Sequence, residues 1–249
     1  MACPCSEKGE TMSAPKRFLV KNIGEETRLS GEEFNHAKNV LRLTEGAEVI
    51  LFDGSGEEYS AVITKIGKSE MILHTVKKGV SEREPKAELY LLVGALKGGK
   101  TELVVQKATE LGVKRIGVFS SKYCSAYMND NKLIRLNRVA AEASKQCLRA
   151  TVPEVVYFDN FESAVKSAQV YESKLFACEF IDESETPLSD IKNSAALIVG
   201  SEGGFTKEEF EYAKEQGFSG VTLGKRILRA ETAAIAFLSI AAYLLGELK

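Results

Sequence analysis

Near the C-terminus, two apolar runs each end in glycine and pass directly into helix-forming sequence. The first is "LIVGSEGGFTKEEF", Leu197 to Phe210, and the second is "VTLGKRILRAETAAIAF", Val221 to Phe237. Glycine has no Cβ, so a ligand can lie close against the backbone there. Two such turns in succession suit a small molecule held largely by main chain. Each turn also carries charge: Glu202 sits inside the first, and Arg229 follows the second. A carboxylate can accept a proton, and a guanidinium can stabilise an anion that develops during reaction. Structural roles compete with both. An acid just before Thr206 suits the start of a helix, and Arg229 can pair with Glu231.

A third segment has the spacing of a known phosphate cradle. "GALKGGKT", Gly94 to Thr101, fits G-x-x-x-x-G-K-[ST], follows a strand-like run and opens a helix. Read as a P-loop, it would place Lys100 on terminal phosphates, with Asp159 as a magnesium partner, and the chain would be a nucleotide hydrolase. That reading leaves both C-terminal turns without a purpose, and a basic loop before a helix is the plainer one. The dinucleotide fingerprint G-x-G-x-x-G is absent, as are G-x-S-x-G and H-E-x-x-H. Cysteines at 3, 5, 124, 147 and 178 are odd in number and scattered, and His36 and His74 are the only histidines. Neither a disulfide framework nor a metal site is expected, and a reducing, cytoplasmic setting is. The net charge of -2 announces no nucleic-acid partner, which would need a local basic patch.

These motifs need elements to position them. Residues 1–16 lack an apolar h-region and read as a disordered extension. From Arg17 to Val76 the runs "RFLV", "EVILFD", "EYSAVITKI" and "EMILHTV" are short, β-branched and separated by glycines, which predicts a small β-barrel over 17–76. One short helix interrupts it, with Ser30 and Glu33 spaced as a capping box. Residues 77–87 are charged, contain a proline and read as a linker. From Glu88 to the end at 249 the pattern alternates strand and helix. "LYLLVGAL", "RIGVFS", "VVYF", "KLFACEF", "ALIVG" and "GVTLG" are continuous apolar runs, as strands buried on both faces require. Helical patterns at 100–111, 130–149, 161–169 and 206–216 separate them. Thr206 and Glu209 form a second capping box. The fold class is therefore α/β with an open, mostly parallel sheet, whose ligands bind beyond the carboxyl ends of the strands. The apolar stretch from Ala233 to Leu245 is shorter than the roughly 20 residues of a membrane span and reads as a buried helix.

The two turns together, "VGSEGGFTKEEF" and then "LGKRILRAETAAIA", resemble the uridine-N3 methyltransferases of small-subunit ribosomal RNA, within the knotted SPOUT superfamily. The family pattern is usually G-P-E-G-G-F followed by L-G-x-R-I-L-R-x-E-T-A, and Ser201 stands here where proline is usual. "HAKNVLRL", "QKATELGV" and "EASKQCLRATVPEV" agree in order, so the resemblance runs from Arg17 to Lys249. It implies a PUA-like β-barrel followed by a SPOUT α/β domain with a C-terminal trefoil knot. It also implies S-adenosylmethionine as cofactor, a homodimer, and N3 of a uridine in 16S ribosomal RNA as the target, on the assembled subunit.

The resemblance assigns Gly200, Gly203 and Gly204 to one wall of the cofactor site. Leu223, Gly224, Ile227 and Leu228 form the other wall, an apolar slot for adenine. Cys178 and Glu179 lie toward the ribose or the methionyl end. The uridine N3–H is a weak acid, so Arg229 is the expected catalytic cation and Glu202 the nearest possible base. For RNA, Arg135, Arg138, Lys145 and Arg149 recur near one helical face, with Arg17, Arg42, Lys97 and Lys100 as further contacts. A non-catalytic RNA-binding protein is the remaining alternative.

Overall fold

Alternating inward and outward side chains build the first of two units. The computed structural model describes residues 16–179, 181 and 187–248. The first unit takes the chain through Asp53 together with Glu57–Val80, and the second takes Gly54–Gly56 and everything from Ser81 on. Cys3, Cys5 and the expected N-terminal extension lie outside the described residues, except Lys16, which opens the first strand.

The first unit is a five-stranded curled sheet, a half-barrel. Its strands are β1 (Lys16–Leu19), β2 (Glu26–Ser30), β3 (Glu48–Phe52), β4 (Glu57–Ile66) and β5 (Glu70–Val80). They lie in the order β1-β3-β4-β5-β2, with β1 parallel to β3 and the other pairs antiparallel. Phe18, Leu29, Leu51, Ile63 and Leu73 share one core with Phe34. Helix α1 (Gly31–Asn35) follows β2 and continues as a π-helical turn, His36–Val40. The capping box expected at Ser30 does not form. Ser30 is the N-cap of α1 as expected, but it is also the last residue of β2, paired with Glu70, and its side chain makes no cap hydrogen bond. Strand β5 runs to Val80, four residues into the expected linker at 77–87.

The second unit is a six-stranded sheet with every pair parallel. Its strands are β6 (Glu88–Gly94), β7 (Arg115–Phe119), β8 (Glu154–Phe158), β9 (Ser173–Ala177), β10 (Ser194–Val199) and β11 (Ser219–Val221). The order across the sheet is β11-β9-β10-β6-β7-β8. Period-two alternation divides β6 between two cores. Leu89, Leu91 and Val93 face helices α2 (Lys100–Glu110), α3 (Asp130–Gln146) and α6 (Ala230–Leu244). Tyr90 and Leu92 face α4 (Phe161–Ser167) and α5 (Lys207–Glu215). The second core is aromatic: Phe176 lies 4.3 Å from Phe205 between ring centres, with Phe119, Phe161 and Phe210 around them. The capping box at Thr206 and Glu209 forms as the spacing predicts. Among the described residues, no helix is long and apolar enough to cross a membrane.

Helix α3 stops at Gln146, short of the Arg149 expected from its pattern. The chain turns through Leu148, which has φ of 65°, and this carries Arg149 inward. Arg149 is 3% exposed. It donates to the carbonyls of Thr109 and Val113 at 2.9 and 2.8 Å, and to the Glu84 carboxylate at 3.3 Å. Glu84 also accepts the N–H groups of Ala150 and Thr151, at 2.6 and 2.9 Å, and the Thr151 hydroxyl. Burial by itself would raise the Glu84 carboxyl. The Thr151 hydroxyl and N–H, the Arg149 charge and the Ala150 N–H outweigh it and hold the group below the ordinary carboxylate range.

A depressed folded-state pKa makes Glu84 stabilising above its unfolded value, with that contribution lost as pH falls through the folded value. Glu84→Gln is expected to reduce unfolding free energy at pH 7 by about 1–3 kcal/mol, because buried donors lose a charged acceptor. In denaturant titrations the gap to wild type should stay constant above about pH 5 and close below about pH 4. A gap independent of pH would show that the carboxylate charge contributes nothing.

Candidate active site at the carboxyl ends of the strands

Strand β10 ends at Val199, and the chain reverses through residues 200–204, where the Gly204 N–H donates to the Ser201 carbonyl at 3.0 Å. Packing constrains this turn closely. A Cβ on Gly200 would sit 2.8 Å from the Phe205 ring, and one on Gly203 would sit 2.5 Å from the Tyr123 carbonyl oxygen. Gly200 is therefore filled against protein, while Gly204 faces Glu179, whose Oε1 lies 3.4 Å from the position a Cβ would take.

The second turn follows β11. Gly224 has φ of 104° and open space where a Cβ would be. Its N–H is 3.3 Å from the Thr222 hydroxyl. Leu223 packs on the core and Leu228 is half-buried, whereas Ile227, expected in the wall of an apolar slot, is 88% exposed. Arg229 is exposed at the N-cap of α6. Strand β9 lies between the two turns. The N–H of Cys178, just past β9, donates to Val221 at 3.2 Å. Sheet order thus brings Glu179, Gly203, Gly204 and the loop from Leu223 to Arg229 to adjacent strand ends.

Lysine 100 joins the turns electrostatically. Its Nζ is 3.4 Å from Glu202 and 3.5 Å from Glu231. The Lys97 N–H donates to the same Glu202 oxygen at 3.1 Å. This overturns the P-loop alternative. The lysine that would meet phosphate is paired, and the Thr101 hydroxyl that would meet magnesium is buried, bonded to the Leu96 N–H and carbonyl at 2.9 and 3.1 Å.

The same contacts change the reading of Glu202. Partial burial pushes its carboxyl up, but the Lys97 N–H, its own N–H and Lys100 prevail and lower it. A carboxylate stabilised in its charged form is a weaker proton acceptor, and the contacts with Lys97 and Lys100 make Glu202 a tie between the first turn and the start of α2. Glu231 pairs with Lys100 and not with Arg229, which has no ion-pair partner among the described residues. Ser201 Oγ and Glu231 Oε2 are buried there without a hydrogen-bond partner among the described residues.

Residues 82–242 match the RNA methyltransferase domain family, and residues 29–75 match the RNA methyltransferase PUA domain family. Over 229 residues the chain is 32% identical to ribosomal RNA small subunit methyltransferase E of Bacillus subtilis, covering 86% of this chain and 89% of that protein. The chain belongs to this family of RNA methyltransferases. Two solved structures share its fold. Ribosomal RNA small subunit methyltransferase E from Neisseria gonorrhoeae, bound to S-adenosyl methionine, is 29% identical with a TM-score of 0.82, covering 90% of this chain and 95% of that one. A methyltransferase from Legionella pneumophila, also with S-adenosyl methionine, is 28% identical with a TM-score of 0.83, covering 92% and 97%.

Within an RNA methyltransferase the basic residues expected to meet phosphate divide into two groups. Arg17 is buried, paired with Glu58 at 3.0 Å and held over the Phe52 ring. The Lys145 side chain is 9% exposed and paired with Glu142. With Arg149 buried against Glu84, these three stabilise the fold and do not present charge to a polyanion. Arg42, Lys97 and Arg138 are the exposed members. Arg135, on the same helix face as Arg138, pairs with Glu102. A groove of about 890 Å³ between α2 and α3 holds Arg135 and Arg138 beside Glu102 and Glu142, so its charge is mixed. Sequence reasoning passed over Tyr123, which packs on Gly203 from the segment after β7. No local pattern marks it, because that contact reaches across β6.

The two turns should respond differently to a methyl group. Gly200→Ala drives a Cβ into the Phe205 ring and is expected to cost about 1–3 kcal/mol of stability through overpacking. Gly224→Ala meets no atom, and its positive φ alone should cost about 1 kcal/mol. Chemical denaturation of both variants checks the order. Equal losses would mean that the Phe205 ring yields freely.

Proposed function

We propose that this chain transfers a methyl group from S-adenosylmethionine to N3 of a uridine in small-subunit (16S) ribosomal RNA, acting on the assembled subunit in the cytoplasm. The observation that carries the reading is the convergence of two glycine turns and the Glu179 strand end at neighbouring carboxyl ends of a parallel sheet. Ligands of open α/β sheets bind in such a place, and relatives with this fold hold S-adenosylmethionine.

The residues fit the cofactor. Gly224 leaves open space beside its backbone, and Ser201 Oγ and Glu231 Oε2 offer uncommitted polar atoms. Gly203 and Gly204 form one wall with Gly200 behind them. Leu223, Gly224 and Leu228 form the other, with Ile227 on its exposed outer edge, and Glu179 faces the ribose or the methionyl end. S-adenosylmethionine supplies a methyl group already activated on its sulfonium.

The protein must then orient the uridine and help N3 lose its proton to solvent, which frees the nitrogen lone pair to take the methyl group. As the proton leaves, negative charge spreads to the uracil oxygens. Arg229, exposed at the head of α6, would stabilise that charge more in the transition state than in the ground state. Arg42, Lys97 and Arg138 contact phosphates, which set affinity more than sequence choice.

The reading includes a homodimer and a C-terminal trefoil knot. Helix α6 buries Ala234, Phe237, Leu238 and Ala241, yet leaves Ile240, Tyr243 and Leu244 exposed as an apolar outer strip. The chain's return from β11, at one edge of the sheet, to α6 packed on α2, β6 and β10 supports the threading.

Calorimetry should show S-adenosylmethionine binding and no binding of magnesium ATP, and the reverse result would end this reading. Arg229→Ala should lower kcat by on the order of a hundredfold with little change in cofactor affinity. Arg229→Lys should rescue only part, for want of the planar fork. Higher pH should restore some activity to the alanine variant, because more uridine is already ionised. Near-normal turnover in that variant would make Arg229 structural. For the dimer, Ile240→Glu with Tyr243→Glu should give a monomer in sedimentation, and an unchanged mass would place the interface elsewhere.

A further inference from the structure

Tyr123 stands beside the candidate site with its backbone fixed and its ring open. It lies in the segment between β7 and α3, which is held at three consecutive residues. The Lys122 N–H donates to Glu209 at 2.9 Å. Tyr123 packs against the 200–204 turn, with its carbonyl oxygen and its Cβ 2.5 and 2.6 Å from where a Cβ of Gly203 would be. The Cys124 thiol donates to the Ala95 carbonyl at 3.2 Å and packs on the core.

Despite these anchors, Tyr123 is 52% exposed, and no hydrogen bond of its hydroxyl occurs among the described residues. A ring that served only packing would gain by being buried. A ring presented from a rigid backbone, with two side-chain torsions to order, loses little entropy when a flat partner covers it.

Methylation at N3 requires a base outside a helical stack, because that edge is otherwise paired. Such a base loses its stacking neighbours, and proteins that hold unstacked RNA replace them with aromatic faces. We infer that Tyr123 supplies that face, stacking on the extruded uridine and holding its N3 edge toward the turn at Gly203 and Gly204. The inference rests on the proposed RNA methylation, and it adds a substrate-binding residue that neither the glycine turns nor the basic residues supply.

The test compares wild type with Tyr123→Phe, Tyr123→Leu and Tyr123→Ala. Tritiated methyl transfer is measured on small ribosomal subunits from cells lacking the gene, with calorimetry of S-adenosylmethionine alongside. Alanine and leucine should raise KM for the subunit about 5- to 150-fold, the range of one base–aromatic stack. Phenylalanine should keep nearly wild-type KM, and cofactor affinity should be the same in all four proteins. An unchanged KM in the alanine variant overturns the inference. So does a phenylalanine variant as impaired as alanine, which would assign the effect to the hydroxyl. Loss of cofactor affinity in step with activity overturns it too, because Tyr123 would then only support the turn. Each of these results leaves the function intact when wild type methylates. A wild-type protein that neither binds the cofactor nor methylates removes the function itself, and the inference with it.

Discussion

The site depends on one placement: strand β9 lies between β10 and β11. Parallel neighbours point their carboxyl ends the same way, so every crossover returns the chain to the same edge. With β9 in the middle, the turn after β10 and the loop after β11 flank the Cys178–Glu179 end of β9. A different strand order with the same six strands would keep the cores and scatter the turns. On its other side β10 pairs with β6, and that pairing brings the first turn into close contact with the end of β6. The Cβ position of Gly94, at the end of β6, lies 2.4 Å from the Ser201 nitrogen, so the neighbouring strand end can hold no side chain.

Charge in the second unit is used mainly for internal alignment. Lys100 bridges Glu202 and Glu231, partly exposed groups at 3.4 and 3.5 Å, and such pairs contribute little stability. Their effect is geometric, because one ammonium ties the first turn to the head of α6. Glu84 and Arg149 form the buried counterpart, where each donor and acceptor is answered by backbone or hydroxyl. Arg229 is different, since it stands at the same helix head without an ion-pair partner among the described residues. An arginine kept out of the local network leaves its charge exposed at the head of α6.

Much of the architecture was legible because it is local. Apolar runs buried on both faces marked all six parallel strands, and the Thr206 and Glu209 spacing marked a helix start that forms as read. Strand β2 was less visible, with only Thr27 and Leu29 facing inward, too few positions for an alternation to stand out. Ser30 shows the limit of a spacing rule. Ser30 stands at the N-cap of α1 as the spacing predicts, but it also ends β2, paired with Glu70, and its side chain makes no cap hydrogen bond.

The sequence by itself determined where strands end in glycine, which residues near those ends carry charge, and, through the linked C-terminal motifs, the family. Tertiary structure decided which of those charges are buried and which are exposed. Arg149 and Arg138 sit on one stripe of a helical pattern, yet the helix stops at Gln146, so one guanidinium is buried on Glu84 while the other is exposed. Lys100 fits a phosphate motif, and the strand order instead gives it two carboxylates as partners. Tyr123 carries no motif and meets Gly203 across an intervening strand. Periodicity and capping depend on neighbours a few residues apart, which a sequence displays. Whether a charged side chain is spent or exposed depends on groups dozens of residues away, brought near only by the order of strands in the sheet.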